Sequence, residues 1–235
     1  MLYEAQFRNP AGAGKLIQAI RDMDLPELRI MEICGTHTMS IAKAGLRQIL
    51  PPHIHLISGP GCPVCVTPSG VMDEVLRISQ LPNVTITTYG DLLRVPGSVP
   101  GDNLQRRSAQ GADVRMVYSP MDSLDMAEQE PDREFIFLGV GFETTAPGTA
   151  IAVQEAKARG RKNFSLLSLL KRTEPAMRAI IESDDFNVSG FLCPGHVATI
   201  LGEEGFRFLA EEYGIPSVIA GFETGDILAA VYQLL

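Results

Sequence analysis

The chain has 235 residues, of which 45% are hydrophobic and 20% charged, and its 22 glycines and 16 prolines are spread along it. This composition excludes an intrinsically disordered, collagen-like or coiled-coil protein. Twenty basic residues against 28 acidic ones give a net charge of -8, and no cluster of Lys and Arg offers a surface for phosphates. We therefore expect no nucleic-acid partner.

No apolar run approaches the ~20 residues that a transmembrane helix requires, and the N-terminal segment lacks the basic-then-apolar order of a signal peptide. The sequence therefore predicts a cytoplasmic protein with no membrane partner. Its four cysteines, Cys34, Cys62, Cys65 and Cys193, are too few for a disulfide scaffold in a chain of this length. Packing, metal binding and redox chemistry remain as their functions.

Eight short apolar runs are predicted as buried strands. They are residues 28–33, 54–58, 84–89, 113–118, 135–140, 163–168, 189–193 and 217–221. Helical patterns separate most of these runs, for example over residues 16–23, 71–78 and 177–181, and such alternation is typical of βαβ units. The eight strands could form one wide sheet or two sheets of four strands. We predict an α/β fold of two similar domains, each a small, mostly parallel sheet flanked by helices.

The tetrapeptide GFET occurs twice at predicted strand ends, starting at Gly141 and Gly221. It indicates either an internal duplication or a chance match. The polar stretch 121–134 is the best candidate for a boundary, which predicts domains at 1–124 and 125–235. The apolar segment 225–235 is expected either to dock onto the core as a helix or to mark a fragment of a longer chain.

The motif CGTH follows the first predicted strand, which brings Cys34 to the carboxyl edge of a parallel sheet, where ligands bind. Thr36 or Thr38 is expected to cap the next helix. The positive end of that helix and the imidazole of His37 both favour a thiolate. The alternative is that Cys34 is a buried small hydrophobic residue and His37 a surface one.

The segment GPGCPVC places Cys62 and Cys65 close enough for a disulfide or for two ligands of a metal. Thr67 and Pro68 are expected to form the cap and first turn of the following helix. A structural zinc ion would need further ligands, for which Cys34, Cys193 and His196 are candidates.

The segment CPGH follows another predicted strand, so that Cys193 is expected to pack within the strand while His196 opens a helix. Glu143 and Glu223 of the two GFET segments are expected at strand ends. There a carboxylate can act as acid, base or hydrogen-bond partner of a ligand. No segment has the glycine spacing of a nucleotide-binding loop.

Taken together, MEICGTHTMSIAKAGL, LISGPGCPVCVTPSG, GVGFETTAPGTA, GFLCPGHVATILG and AGFETGDIL closely resemble the HypD family of hydrogenase maturation factors over essentially the whole chain. The resemblance implies a scaffold that, with the small chaperone HypC, holds the iron on which an Fe(CN)2CO centre is assembled for [NiFe]-hydrogenase. It implies HypE as the cyanide donor. It also implies an assembly scaffold with thiol redox activity rather than a turnover enzyme.

Carried over to this sequence, the resemblance makes Cys34 the cysteine that holds the iron, with His37 beside it. It makes Cys62 and Cys65 a redox-active thiol pair in a cleft between the two similar α/β domains. We also assign catalytic roles to His37, Glu143 and His196. Family members continue into a region whose cysteines bind a four-iron four-sulfur cluster, and these ligands are absent from the sequence given. At the positions where family members have a histidine and a second proline, this sequence has Leu170 and Glu174. The rival hypothesis is a cytosolic thiol-disulfide oxidoreductase.

Overall fold

The computed structural model describes the backbone of residues 10–235 and the side chains from Gly12 onward. All eight predicted strands form, and each of the six pairings in this part of the chain is parallel. The strands are β1 (Leu28–Glu32), β2 (Ile54–Ser58), β3 (Val84–Thr88), β4 (Asp113–Met116), β5 (Glu134–Gly141), β6 (Phe164–Leu170), β7 (Gly190–Pro194) and β8 (Ser217–Ala220). The predicted α/β class is confirmed.

Helices connect the strands. They cover most of the three segments, 16–23, 71–78 and 177–181, for which apolar periodicity predicted a helix. The α-helices are Pro10–Arg21, Gly35–Lys43, Leu46–Ile49, Ser69–Ile78, Leu104–Ala109, Pro120–Gln129, Ala146–Ala158, Thr173–Ile181, Gly195–Leu201, Phe208–Glu211 and Thr224–Leu234. Short 3-10 turns lie at Gly90–Arg94 and Glu203–Phe206. Over residues 10–235, no helix has the length and apolar character needed to cross a membrane.

The strands form two four-stranded sheets, one in each of two compact units. Of the described residues, unit 1 comprises those up to Cys62 together with Thr173–Leu235, and unit 2 comprises Pro63–Arg172. The sheet order is β2-β1-β7-β8 in unit 1 and β4-β3-β5-β6 in unit 2. Two similar α/β domains, each with a parallel sheet and flanking helices, are thus confirmed.

The units are not divided at residue 124, where the sequence analysis put the boundary. Strand β7 pairs with β1, with Met31 opposite Phe191, so the last part of the chain returns to the first sheet. The polar stretch chosen as a linker is instead a helix, Pro120–Gln129, with a capping box between Ser119 and Asp122. The polar residues of this helix lie on its exposed side, because a surface helix packs only one apolar stripe against the core.

Both units have the same strand order, in which the first strand of the unit lies between its second and third. The GFET segments do not occupy equivalent places in this shared order. One follows β5, the third strand of unit 2, and the other follows β8, the fourth strand of unit 1. The repeated tetrapeptide therefore does not mark a duplicated position, although the two topologies match.

Unit 1 buries its sheet on both faces. Along β7, Leu192 packs in the cluster around Ile30 and Ile227, whereas Phe191 and Cys193 pack on the opposite face. This alternation follows from the two-residue period of a strand. Full burial of Phe191, which is 0% exposed, contributes about 2 to 3 kcal/mol of hydrophobic stabilisation.

The last helix packs onto the core of unit 1. This was the first of the two expectations for residues 225–235. Ile227, Leu228 and Val231 are each 0% exposed, in the same apolar cluster as Ile20 of the helix Pro10–Arg21. The apolar face of the helix is therefore a part of the core.

Unit 2 is built in the same way around β3 and β5. Ile86 and Leu138 pack with Met72 and Val75 of the helix Ser69–Ile78. On β3, the hydroxyl of Thr87 lies 2.6 Å from that of Ser123, which belongs to the helix Pro120–Gln129. Both faces of this sheet are therefore covered, as is usual for all-parallel sheets.

Candidate functional site

Four motif segments of unit 1 lie at the carboxyl ends of its four strands. GPGC follows β2, CGTH follows β1 and GFET follows β8, while CPGH begins with the last two residues of β7. Because the four strands are parallel, these segments lie along one edge of the sheet. The change of strand order falls between β1 and β7, which is the place where open α/β sheets bind ligands.

Cys34 lies at the N-cap of the helix Gly35–Lys43, in an extended conformation, and no side chain caps this helix end. The prediction that Thr36 or Thr38 caps this helix was wrong, because the helix already begins at Gly35. The residue is 7% exposed. Its sulfur thus lies beside the first turn of a nine-residue helix.

The GPGC loop contacts the backbone around Cys34. The amide of Gly35 donates to the carbonyl oxygen of Gly61 over 3.3 Å. A Cβ on Gly61 would lie 2.6 Å from the carbonyl carbon of Ile33, and closer still to the backbone of Cys34. Only glycine permits this approach, which brings Cys62 and Cys34 onto neighbouring loops.

Beneath these loops lies Glu32, the last residue of β1, which is 1% exposed. Its Oε1 accepts hydrogen bonds from the Ser58 hydroxyl (2.9 Å) and from Nη2 of Arg47 (3.1 Å). Its carbonyl oxygen accepts from the amide of Gly59 over 2.9 Å. Glu32 therefore joins the end of β1 to the end of β2, from which the two cysteine loops begin.

Burial raises the pKa of Glu32 above 4.5, against the opposing effects of its hydrogen bonds and of Arg47. The folded state consequently holds this proton more tightly than the unfolded chain, and the free energy of unfolding falls as pH rises from 4.5 through the raised value. Glu32→Gln lacks the titrating group. We expect chemical denaturation at several pH values to show Glu32→Gln gaining stability relative to wild type as pH rises from about 4 to 7.

Glu134→Gln is the matched control, because Glu134 is exposed at the start of β5. Parallel pH profiles for wild type and Glu32→Gln would contradict the prediction for Glu32.

His37 is fully buried, at 0% exposed, and so the alternative of a surface histidine is wrong. Its Nε2 lies 2.9 Å from the carbonyl oxygen of Gly221. Because a carbonyl only accepts, Nε2 carries the hydrogen, and this assigns the tautomer. The other nitrogen, Nδ1, is buried and has no hydrogen-bond partner in the described part of the chain. Burial lowers the pKa of His37, so the neutral imidazole is favoured.

His196 is the second residue of the helix Gly195–Leu201, so the prediction that it opens a helix is confirmed. Burial lowers its pKa as well, and its Nδ1 likewise has no partner among residues 12–235. The rings of His37 and His196 lie 4.7 and 5.2 Å from the ring of Phe222, centroid to centroid. Three of the four motif segments therefore meet at one aromatic side chain.

Cys62 and Cys65 lie in the loop between β2 and the helix Ser69–Ile78, with Cys62 half-buried and Cys65 exposed. The N-cap of that helix is Pro68, and the expectation that Thr67 would cap it was wrong. Instead the Thr67 hydroxyl donates to the carbonyl oxygen of Pro63 over 2.8 Å. Val64 packs on the core of unit 2. The turn that carries Cys65 is thereby fixed to unit 2.

Glu143 lies in unit 2, in the turn between β5 and the helix Ala146–Ala158, and is half-buried. The Thr145 hydroxyl and amide both donate to the carbonyl oxygen of Phe142, which closes this turn. A Cβ on Gly141 would overlap the Thr145 hydroxyl, so the strand end requires glycine. Within its own unit, Glu143 thus occupies a strand end at the change of strand order between β3 and β5.

Cys193 is 0% exposed within β7, and burial raises the pKa of its thiol to about 12. The expectation that it packs within its strand is confirmed. Over residues 12–235, no group of three His, Cys, Asp or Glu side chains is arranged to hold a metal ion. Of the candidate residues, the structure brings together His37 and His196 around Phe222, and it places Cys34 on the loop beside Cys62.

Glu32 and Phe222 were not identified from the sequence. Glu32 lies two residues before CGTH, and Phe222 lies within the second GFET segment. A glutamate at the end of the predicted buried strand 28–33 was the available signal for a buried carboxylate. Phe222 gave no such signal, because an isolated aromatic residue after a strand is usually part of the core.

The family described as HypD, hydrogenase formation hypA family, matches residues 12–235 of this chain. Hydrogenase maturation factor HypD2 of Bradyrhizobium diazoefficiens is 43% identical to it over 244 residues, covering 100% of this chain and 64% of the relative. HypD of Escherichia coli K12 is 43% identical over 243 residues, with the same coverage. HypD of Rhodobacter capsulatus is 43% identical over 242 residues, again with 100% and 64% covered. The chain thus spans 64% of the length of these relatives.

Proposed function

The chain belongs to the HypD family of hydrogenase maturation factors, and from this membership we propose that it acts in the cytoplasm as a scaffold for [NiFe]-hydrogenase maturation. Cys34 holds an iron ion while two cyanides and one carbon monoxide are attached to it. A HypC-like chaperone shares the iron and a HypE-like protein donates the cyanide. The iron is cargo that passes to the hydrogenase.

The position of Cys34 is the observation that carries this proposal. Its sulfur lies at the N-terminus of a nine-residue helix and at the strand edge where α/β sheets bind ligands. A thiolate is a good ligand for iron. Gly61 brings a second cysteine loop against the same backbone.

The proposal takes Cys34 as the one protein ligand of the iron. An ion held in this way keeps most of its coordination positions for small ligands and for a partner protein. A resident structural or catalytic metal normally has three or four protein ligands.

His37 and His196 supply the proton-transfer groups in this proposal. Each imidazole has a buried Nδ1 that bonds to no described residue, and burial lowers both pKa values, so each favours the neutral form that can accept a proton. Glu143 is assigned an acid, base or hydrogen-bonding role from unit 2. These groups would accept the protons that thiols release when they bind metal or are oxidised.

Cys62 and Cys65 form the redox pair of the scaffold. Oxidation of two thiols to a disulfide releases two electrons and two protons, which the proposal assigns to ligand attachment. The fixed turn around Cys65, with its Thr67–Pro63 hydrogen bond, favours closure of a short loop.

We expect Cys62 and Cys65 to oxidise and reduce together when the protein is equilibrated in graded thiol-disulfide buffers. Alkylation and mass spectrometry would count the reduced thiols. Cys193 is the internal reference, because its burial and high pKa keep it unreactive. A pair that never oxidises, or that holds stoichiometric zinc, would contradict this role.

The exposure of Cys65 near the start of the helix Ser69–Ile78 favours a second candidate function, a thiol-disulfide oxidoreductase. Such an enzyme needs only the Cys62–Cys65 pair, whereas the scaffold requires Cys34. Anaerobic purification with the HypC-like partner, followed by iron analysis and an insulin reduction assay, separates the two. The scaffold predicts bound iron without turnover, and the oxidoreductase predicts turnover without iron.

A further inference from the structure

Phe222 lies between β8 and the helix Thr224–Leu234, and its ring contacts two imidazoles from distant segments. The His37 ring is tilted by 49° to it at a centroid distance of 4.7 Å, and the His196 ring by 55° at 5.2 Å. The residue before Phe222, Gly221, accepts the hydrogen bond from Nε2 of His37. The segment Gly221–Phe222 thus fixes the orientation of His37 at two points.

Both imidazoles keep an unused buried nitrogen. Nδ1 of His37 and Nδ1 of His196 are inaccessible to solvent and bond to no side chain or backbone group in residues 12–235. A buried acceptor without a partner costs about 1 to 3 kcal/mol. Two such atoms around one aromatic ring are unusual in a core, where nearly all polar groups are satisfied.

The backbone around Phe222 is closely packed. A Cβ on Gly195 would lie 3.0 Å from the carbonyl oxygen of Ala220, so the segment before His196 packs against the end of β8. A Cβ on Gly221 would overlap the Asp226 carboxylate in the first turn of the following helix. The strand end, the ring and the two histidine segments therefore form one tightly packed group.

We propose that Phe222 is a positioning residue that orients both imidazoles and excludes water from their Nδ1 atoms, which keeps these two nitrogens unhydrated for hydrogen bonds with the bound substrate. The inference rests on the proposed function only in taking the substrate to bind at this sheet edge. Water in place of the ring would satisfy both nitrogens and would compete with the substrate for them.

The test compares Phe222→Leu with Phe222→Tyr, which keeps the aromatic ring, and with Phe206→Leu as control. Phe206 is 3% exposed in the same unit, in the cluster on the opposite side of the sheet from Ile227. Diethyl pyrocarbonate modification of each histidine is followed by mass spectrometry. His55, whose side chain is 43% exposed, serves as the reactive reference in every sample.

We expect His37 and His196 to be modified about tenfold faster in Phe222→Leu than in wild type, because local exposure governs reactivity. Phe222→Tyr and Phe206→Leu should retain wild-type rates. Equal acceleration in Phe206→Leu would show a general loss of packing and overturn the proposal, as would unchanged rates in Phe222→Leu.

Iron retention by the same variants separates this inference from the proposed function. If wild type holds no iron, the proposed function fails while the histidine rates still decide the role of Phe222. If wild type holds iron, loss of ligand attachment in Phe222→Leu and its recovery in Phe222→Tyr are the expected results. Full ligand attachment in Phe222→Leu would overturn the positioning role.

Discussion

Replacement of Cys34 by alanine is expected to abolish iron retention in the complex with the HypC-like partner while the protein still folds cooperatively. The expectation follows from the proposal that Cys34 supplies the thiolate that holds the iron. The side chain of Cys34 forms no helix-capping hydrogen bond. Loss of its sulfur should therefore cost about 1 kcal/mol of unfolding free energy.

Cys193→Ala is the matched control for Cys34→Ala. Its sulfur is removed from a fully buried strand position in the same unit, which should cost about 1 to 2 kcal/mol through the cavity it leaves. Iron content by plasma emission spectroscopy and urea denaturation are measured on both variants. We expect iron loss in Cys34→Ala alone. Equal iron in both variants, or a Cys34→Ala variant that fails to fold, would show that Cys34 is a packing residue.

Gly61→Ala is expected to destabilise the protein and to displace the GPGC loop from Cys34. The new Cβ would lie 2.6 Å from the carbonyl carbon of Ile33 and still closer to the Cys34 backbone. These are main-chain atoms in a strand-to-helix connection, and they cannot rotate away as a side chain would. We expect a loss of about 3 kcal/mol in the free energy of unfolding, measured by urea denaturation, together with faster alkylation of Cys34.

Gly14→Ala tests the same change where the structure leaves room. Gly14 lies exposed in the helix Pro10–Arg21, with nothing within 4 Å of an added Cβ. Because alanine is the better helix former, this variant should gain about 0.5 to 1 kcal/mol. A Gly61→Ala protein as stable as wild type, with Cys34 alkylated at the wild-type rate, would contradict the close approach of the two loops.

The strands could be predicted from sequence because buried parallel strands are continuous apolar runs, as in residues 135–140. The partners of each strand could not be predicted from sequence. The pairing of Met31 with Phe191 joins segments far apart in sequence, and apolar periodicity carries no information on which strands meet. This is also why the division at residue 124 differs from the observed units. The helix Pro120–Gln129 was not predicted because its single apolar stripe is narrower than its polar surface.

The candidate site was predicted as motifs and not as contacts. Glycines and cysteines at strand ends located Cys34, Cys62 and His196, since parallel strands bring their ends to one edge. The hydrogen bond from His37 to Gly221 could not be predicted, because it joins segments that only the fold brings together. The same holds for the contact of Glu32 with Arg47, which depends on the turn between the two short helices after β1.

Infrared spectroscopy of the anaerobic complex with the HypC-like partner tests the central claim most directly. Wild type, Cys34→Ala and Cys193→Ala would be prepared in parallel after exposure to the cyanide-donating partner. The proposed function predicts cyanide and carbonyl stretching bands in wild type and Cys193→Ala, and none in Cys34→Ala. Bands of wild-type intensity in Cys34→Ala, or a wild-type complex without any such band, would contradict it.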